Sequence, residues 1–413
     1  MNHGRRQLLL GAGALAGLSL LGSRAQGAVR LSASPLFSSV VPRTLVLLQF
    51  SGGNDGLSTV VPYGDDGYAS ARRATRSLEK DLLKLDDYRA FHPALVRMRA
   101  LYEQGKLAVI EGAGYPNPIR SHFKSYEVWH TADLRGRAAG EGWIGKLVNA
   151  AWPDNRDPNL VVHIGKNVPY SLYSQTHPAA SFATPTGYKW AGDASERSAL
   201  EKGGEICEHG ETMDEREPAN NLEYLRKVLR DGQASSETIR RAAVRYRTKT
   251  EYADDELAQA LRDVAALSVG QVGSRVFSVE LGGFDTHSDQ KNRHDALMRR
   301  LDASLPTFLA DIAGSEAGKN TVVLAYSEFG RRVRENGSNG TDHGVAGPMF
   351  LAGESIKGGL YGKHPSLTQL DDGDLIHTTD FRSVYASVIQ NWFGVDATRV
   401  LGAKYPTLPL LKA

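Results

Sequence analysis

The chain has 413 residues, 41% hydrophobic and 23% charged, and its 49 Lys plus Arg against 47 Asp plus Glu leave a formal net charge of +2. Such a balance excludes electrostatic capture of nucleic acid or of an anionic membrane as the organising function. The single cysteine, Cys207, excludes an intramolecular disulfide and every cysteine-rich metal site, so any metal must rest on His, Asp and Glu.

Arg5-Arg6 opens the chain, followed by small and apolar residues from Leu8 to Leu21 and the small-residue stretch Ala25-Gln26-Gly27-Ala28. A basic start, an apolar core and a small-residue cleavage site are the parts of a secretory signal, and the arginine pair ahead of a Gly/Ala-diluted core points to the twin-arginine export machinery. Residues 1–28 are therefore expected to be a signal peptide and the mature protein periplasmic or secreted. Because the apolar run falls short of the roughly 20 residues of a membrane span, no stable membrane anchor is expected. Gly11-Ala12-Gly13 lies inside this segment with no strand before it, so it is not read as a dinucleotide loop.

From residue 44 to 413 a single α/β domain is expected. Thr44–Phe50, Leu107–Ile110, Leu160–Ile164, Arg275–Leu281 and Thr321–Tyr326 are short, mostly unbroken apolar runs, as in strands covered on both faces. Amphipathic helical patterns lie between or after them, at Pro93–Gln104, Ala296–Ala313 and Phe381–Trp392, with a long charged helical stretch from Leu222 to Val269. Strand and helix alternating over this length predict an α/β/α sandwich on a mainly parallel sheet. The stretch 175–221 is rich in Gly, Ser, Glu and Pro and is expected to be a polar insertion across one end of that sheet.

The segments that follow the strands carry the chemistry. They are Ser51-Gly52-Gly53-Asn54-Asp55-Gly56, then Gly112-Ala113-Gly114 leading to Arg120-Ser121-His122, then Gly282-Gly283-Phe284-Asp285-Thr286-His287, and Ser327-Glu328-Phe329-Gly330-Arg331 with Thr341-Asp342-His343-Gly344 a short loop later. Taken singly, each has a plainer reading as a tight turn, a surface imidazole or, for Ser121, a helix cap. Ligands of an open α/β sheet bind outside the carboxyl ends of the strands, and carboxylates and imidazoles delivered there together suit a divalent metal. Ser121, at the start of the helical stretch Phe123–His130, is placed where a nearby metal would make its hydroxyl a competent nucleophile. The Gly-x-Ser-x-Gly elbow of metal-free serine hydrolases is absent.

Gly-Gly-Asn-Asp-Gly, Ser-His-Phe, Phe-Asp-Thr-His, Ser-Glu-Phe-Gly-Arg, Asp-His-Gly and Thr379-Asp380-Phe381-Arg382, in that order from Leu45 to about Gly394, resemble the exported bacterial family known as domain of unknown function 1501. That family is grouped with the alkaline phosphatase and sulfatase superfamily, which implies a hydrolytic site holding one or two divalent ions, zinc, manganese, calcium or magnesium alike. By resemblance, Asp55 is the first-strand metal aspartate, Ser121 the nucleophile, Asp285 and His287 one metal position, Glu328 a strand-end metal carboxylate and His343 the later histidine. Asp342 and Asp380 correspond to carboxylates that orient imidazoles, with Asp342 also a candidate metal ligand. The alternative register makes Asp342-His343 the second-metal pair and leaves His377 to complete the first. Phe329 stands where the superfamily has a histidine, and the formylglycine sulfatase signature is missing. The expected activity is metal-dependent hydrolysis of an anionic phosphate or sulfate ester, with Arg120, Arg331 or Arg382 holding the ester's oxygens. The rival expectation is a non-catalytic exported binding or assembly protein on a decayed hydrolase scaffold.

Overall fold

Strand Thr44–Ser51 (β1) is apolar on both faces because it lies in mid-sheet: Val46, Leu48 and Phe50 enter one core while Leu45 and Leu47 enter the other, all essentially without solvent exposure. The structure, a computed structural model, describes residues 42–136, 140–189 and 217–412, leaving aside the side chains of 217–229. The chain divides into Met1–Val40, which includes the expected signal segment and lies outside the described residues, and Val41–Ala413, which carries the sheet and its helices.

The other strands of the nine-stranded sheet are Leu107–Gly114 (β2), Val161–Ile164 (β3), Ala180–Phe182 (β4), Val276–Gly282 (β5), Thr321–Ser327 (β6), Gly347–Ala352 (β7), Gly359–Tyr361 (β8) and Thr379–Asp380 (β9). Their order is β8-β2-β7-β6-β1-β5-β3-β4, with β9 also paired to β2. Strand β7 runs antiparallel to both β2 and β6, and every other pairing is parallel. Helices Val96–Glu103 (α1), Glu256–Val269 (α5) and Gln290–Ile312 (α6) cover one face. The opposite face carries His122–Thr131 (α2), Trp143–Ala151 (α3) and Phe381–Ser387 (α7). The result is the expected α/β/α sandwich on a mostly parallel sheet.

The five expected strands are all present, and the differences are local. The stretch expected to be helical from Leu222 to Val269 is two helices, Glu217–Arg245 (α4) and α5. Between them the Tyr246 and Tyr252 hydroxyls donate to Asp311 Oδ2 at 2.5 and 2.7 Å, and Asp255 caps α5 through the Leu257 and Ala258 N–H groups. Within the polar insertion, Ala180–Phe182 adds a short parallel edge strand to β3, while 190–216 lie outside the described residues. Register places the site: Ser51 pairs with Gly282 and Phe50 with Ser327, so the three central strands end level and their following segments leave from one line.

Candidate metal centre

Close backbone approach joins those segments. Gly52 has φ +117°, and a Cβ on it would lie 2.4 Å from the Asp285 nitrogen, so only glycine lets the β1 and β5 loops meet. The Gly52 N–H donates to Glu328 Oε1 at 2.9 Å, which ties in the end of β6. Arg331, fully buried, donates to the carbonyls of Gly53 and Thr341 at 2.8 Å, Phe284 at 3.0 Å and Gly52, and to Asp285 Oδ1 at 2.6 Å. One guanidinium therefore fastens three loops and aims a carboxylate.

Around Asp285 stand three imidazoles. His287 Nε2 and His343 Nε2 lie 3.0 and 3.1 Å from Asp285 Oδ1 and 2.9 Å from each other. His122 Nε2 lies 3.6 Å from Asp285 Oδ2. Their far nitrogens each face an acceptor: His287 Nδ1 meets Asp342 Oδ1 at 3.1 Å, His343 Nδ1 the Arg120 carbonyl at 2.9 Å, and His122 Nδ1 Glu328 Oε1 at 2.7 Å. Those partners assign the proton of each neutral ring to Nδ1, leaving three Nε2 lone pairs directed at a carboxylate that is itself only an acceptor. Acceptors cannot satisfy one another, so a proton or a cation must lie among them. Imidazoles held through Nδ1–H by a carboxylate or carbonyl are the arrangement that orients metal-binding histidines.

Charge and packing shape the same spot. Burial pushes the Asp285 carboxyl up, but the hydrogen bond and charge of the Arg331 guanidinium outweigh it and hold it at about 2. The hydrogen bond and charge of Glu328 raise the His122 imidazole above its ordinary value. The Phe329 ring packs 4.8 Å from the His122 and His343 rings, and a Cβ on Gly53 would strike it at 2.4 Å. This aromatic wall fixes both imidazoles from below, while the Asp285 side chain keeps 47% of its surface exposed, so the cluster opens to solvent.

A family model described as Protein of unknown function (DUF1501) matches residues 102–403. The chain belongs to that family. No curated protein matches it. Among solved structures, a protein of the alkaline phosphatase superfamily from Vibrio parahaemolyticus is 10% identical, with 87% of this chain and 68% of that one covered and a TM-score of 0.38. The C-terminal periplasmic domain of EcEptC from Escherichia coli is 12% identical, with 87% and 86% covered and a TM-score of 0.37. A TAB5 alkaline phosphatase mutant with bound magnesium is 12% identical, with 76% and 92% covered and a TM-score of 0.32. All three likenesses are distant, and the chemistry of the DUF1501 site rests on its own residues.

Of the residues singled out in the sequence, Asp285, His287 and His343 meet at one point, and Glu328 and Asp342 stand one residue back, each accepting from an imidazole Nδ1. Glu328, fully buried, also accepts from the Ser327 hydroxyl at 3.0 Å. Asp55 requires the largest revision. Its carboxylate is buried and accepts from both Arg72 Nη atoms, the Ser58 hydroxyl at 2.7 Å and Gln290 Nε2, so it is an ion-pair partner instead of an open ligand. Arg120 turns its guanidinium to Asp374 and Asp372, at 2.5 and 3.1 Å, and offers the cluster only its carbonyl. Arg331 is likewise fully engaged in holding the loops, and Arg382 pairs with Asp380, which caps α7. His377 lies with its Cβ against Gly114, so the imidazole delivered to Asp285 is that of His343.

Ser121 precedes α2 as its N-cap, yet its hydroxyl makes no capping hydrogen bond and is exposed. The residue that sequence reasoning passed over is its neighbour, His122. Its signal is the imidazole of Ser-His-Phe, at the start of a helix that follows a Gly-rich strand end.

Proposed function

We propose that this DUF1501 protein is an exported, metal-dependent hydrolase of phosphate or sulfate esters. The observation that carries the reading is the convergence of imidazole lone pairs on Asp285 with every Nδ1 already committed to an acceptor. Asp285, His287 and His343 would hold the ion, Asp342 and the Arg120 carbonyl keep two of the imidazoles in the binding tautomer, and Arg331 fixes the carboxylate. A divalent ion there supplies a Lewis acid for the ester's anionic oxygens. Ser121 is the nucleophile in this reading: its hydroxyl is exposed, free of a capping bond, and one residue from His122 at the start of α2. Since Arg120, Arg331 and Arg382 are all engaged by carboxylates, no guanidinium among them stands ready for the substrate.

Export rests on Arg5-Arg6 and the apolar run after it, and no helix among the described residues is long and apolar enough to cross a membrane. Phe329 favours the rival reading of a non-catalytic binding protein, because it fills with a hydrocarbon ring the place of a superfamily histidine. A screen of phosphate and sulfate monoesters with protein loaded separately with zinc, manganese, calcium and magnesium decides between them. Turnover that Ser121→Ala abolishes, with metal content and stability retained, is the expected result. Absence of turnover from every loaded preparation would return the protein to the binding class.

A further inference from the structure

We infer that His122 is itself a metal ligand and that the centre is mononuclear and nitrogen-rich, built for a zinc-like ion. This deepens the metal-site reading above and rests on it. Ligand atoms of His122, Asp285 and His343 all lie within 4.8 Å of one another, and His287 Nε2 lies 2.9 Å from His343 Nε2. Two imidazoles and one carboxylate therefore surround a single point, and the third imidazole, His287, adjoins it through Asp285 and His343. His122 is prepared in the same way as the other two: its Nδ1 faces a buried carboxylate, its ring is clamped 4.8 Å from Phe329, and its Nε2 is turned to Asp285.

The charges favour a cation at that point. Asp285, Glu328 and Asp342 bring three carboxylates, and among the described residues Arg331 is the one guanidinium bonded to any of them, which leaves a formal excess of two negative charges with the imidazoles neutral. A single divalent ion cancels it.

A second ion finds no ligands among the described residues nearby. The oxygens of Asp55, the first-strand aspartate, are taken by Arg72, and the Arg72–Asp55 side chains are wholly buried, so a fixed guanidinium sits where a cation would be needed. Glu328, wholly buried, already accepts from the Gly52 N–H, the Ser327 hydroxyl and His122 Nδ1. Phe329 packs against the His122 and His343 rings and offers no ligand atom. Hard oxygen-seeking ions such as calcium and magnesium take six or more oxygen ligands or keep several waters, whereas imidazole with one carboxylate suits zinc.

The test loads full-length mature protein with zinc, measures metal per chain after dialysis, and counts imidazole ligands by X-ray absorption. One zinc per chain bound by three imidazoles is expected, with His122→Ala weakening zinc binding at least tenfold and Glu328→Gln about 10- to 100-fold through loss of the negative charge on the Nδ1 partner. Two ions per chain, two or fewer imidazoles in the wild type, or unchanged affinity in His122→Ala would overturn the inference while leaving the hydrolase reading standing. Wild type that binds no zinc, manganese, calcium or magnesium overturns both. Because the ligand count is made on the wild type, a variant that fails to fold does not obscure the outcome.

Discussion

Replacing Asp55 with alanine separates two roles that the sequence assigns to the same residue. If Asp55 is the ion-pair partner that the structure shows, its removal leaves the Arg72 guanidinium buried without its carboxylate and strands the Ser58 hydroxyl and Gln290 amide donors. Breaking a buried pair by deleting one partner costs about 3–5 kcal/mol, because the remaining charge cannot reach water. Both side chains here are 0% exposed, so the upper part of that range is expected. Arg72 also donates to the Val333 carbonyl at 2.6 Å and the Arg332 carbonyl at 2.7 Å, so the loss spreads into the loop that leads from Arg331 to His343. The measurement is equilibrium urea denaturation of wild type and Asp55→Ala, both stripped of metal by chelator, with the free energy extrapolated to water. A metal ligand would show the opposite pattern, a metal-free stability close to wild type and a loss only on loading. The double variant Asp55→Ala with Arg72→Ala should lose less than the sum of the single changes, since the charges act as a unit. Equal stability of the metal-free wild type and Asp55→Ala would refute the ion-pair role.

Buried His92, His130 and His163 are pushed down to about 4 and His294 to about 3 by loss of solvent, against about 6.5 when unfolded. With depressed folded values their stability contribution is complete above 6.5 and is lost as pH falls towards 4, at up to about 1.4 kcal/mol per pH unit for each ring; urea midpoints at pH 8, 6 and 5 that do not decline would contradict this. Asp55 acts in the same direction lower down: burial raises its carboxyl, Arg72 more than compensates, and the stability it contributes disappears only as pH falls below the ordinary carboxylate range. Gly52→Ala should cost about 1–3 kcal/mol for the positive φ and, by displacing Asp285, weaken zinc binding; a stable variant with wild-type affinity would show that the two loops need not touch. Arg5→Lys with Arg6→Lys should leave the precursor in the cytoplasm, because lysine cannot reproduce the planar guanidinium fork, and normal delivery of the double variant would remove the twin-arginine assignment.

Apolar runs such as Thr44–Phe50 and Thr321–Tyr326 were readable as buried strands because a strand covered on both faces has no polar alternation to disguise it. The same simplicity explains why the strand-end segments were found: Gly-rich turns carrying Asp, Glu and His after an apolar run have a local signature. Strand β7 is harder to read because Gly347–Ala352 is short, follows a loop and pairs at long range with β2 and β6. At the site, residue types were legible and their partners were not. Asp55 and Asp285 are both acids that follow a strand after glycines, and only tertiary structure sets Arg72 against one and three imidazoles around the other. Arg120, Arg331 and Arg382 looked alike as anion binders, yet the fold spends each on a carboxylate near it. His122 shows the limit most sharply: a sequence states that an imidazole is present, but which of its nitrogens carries the proton is decided by the acceptor the fold places beside it, here Glu328, just past the end of β6 and more than two hundred positions away.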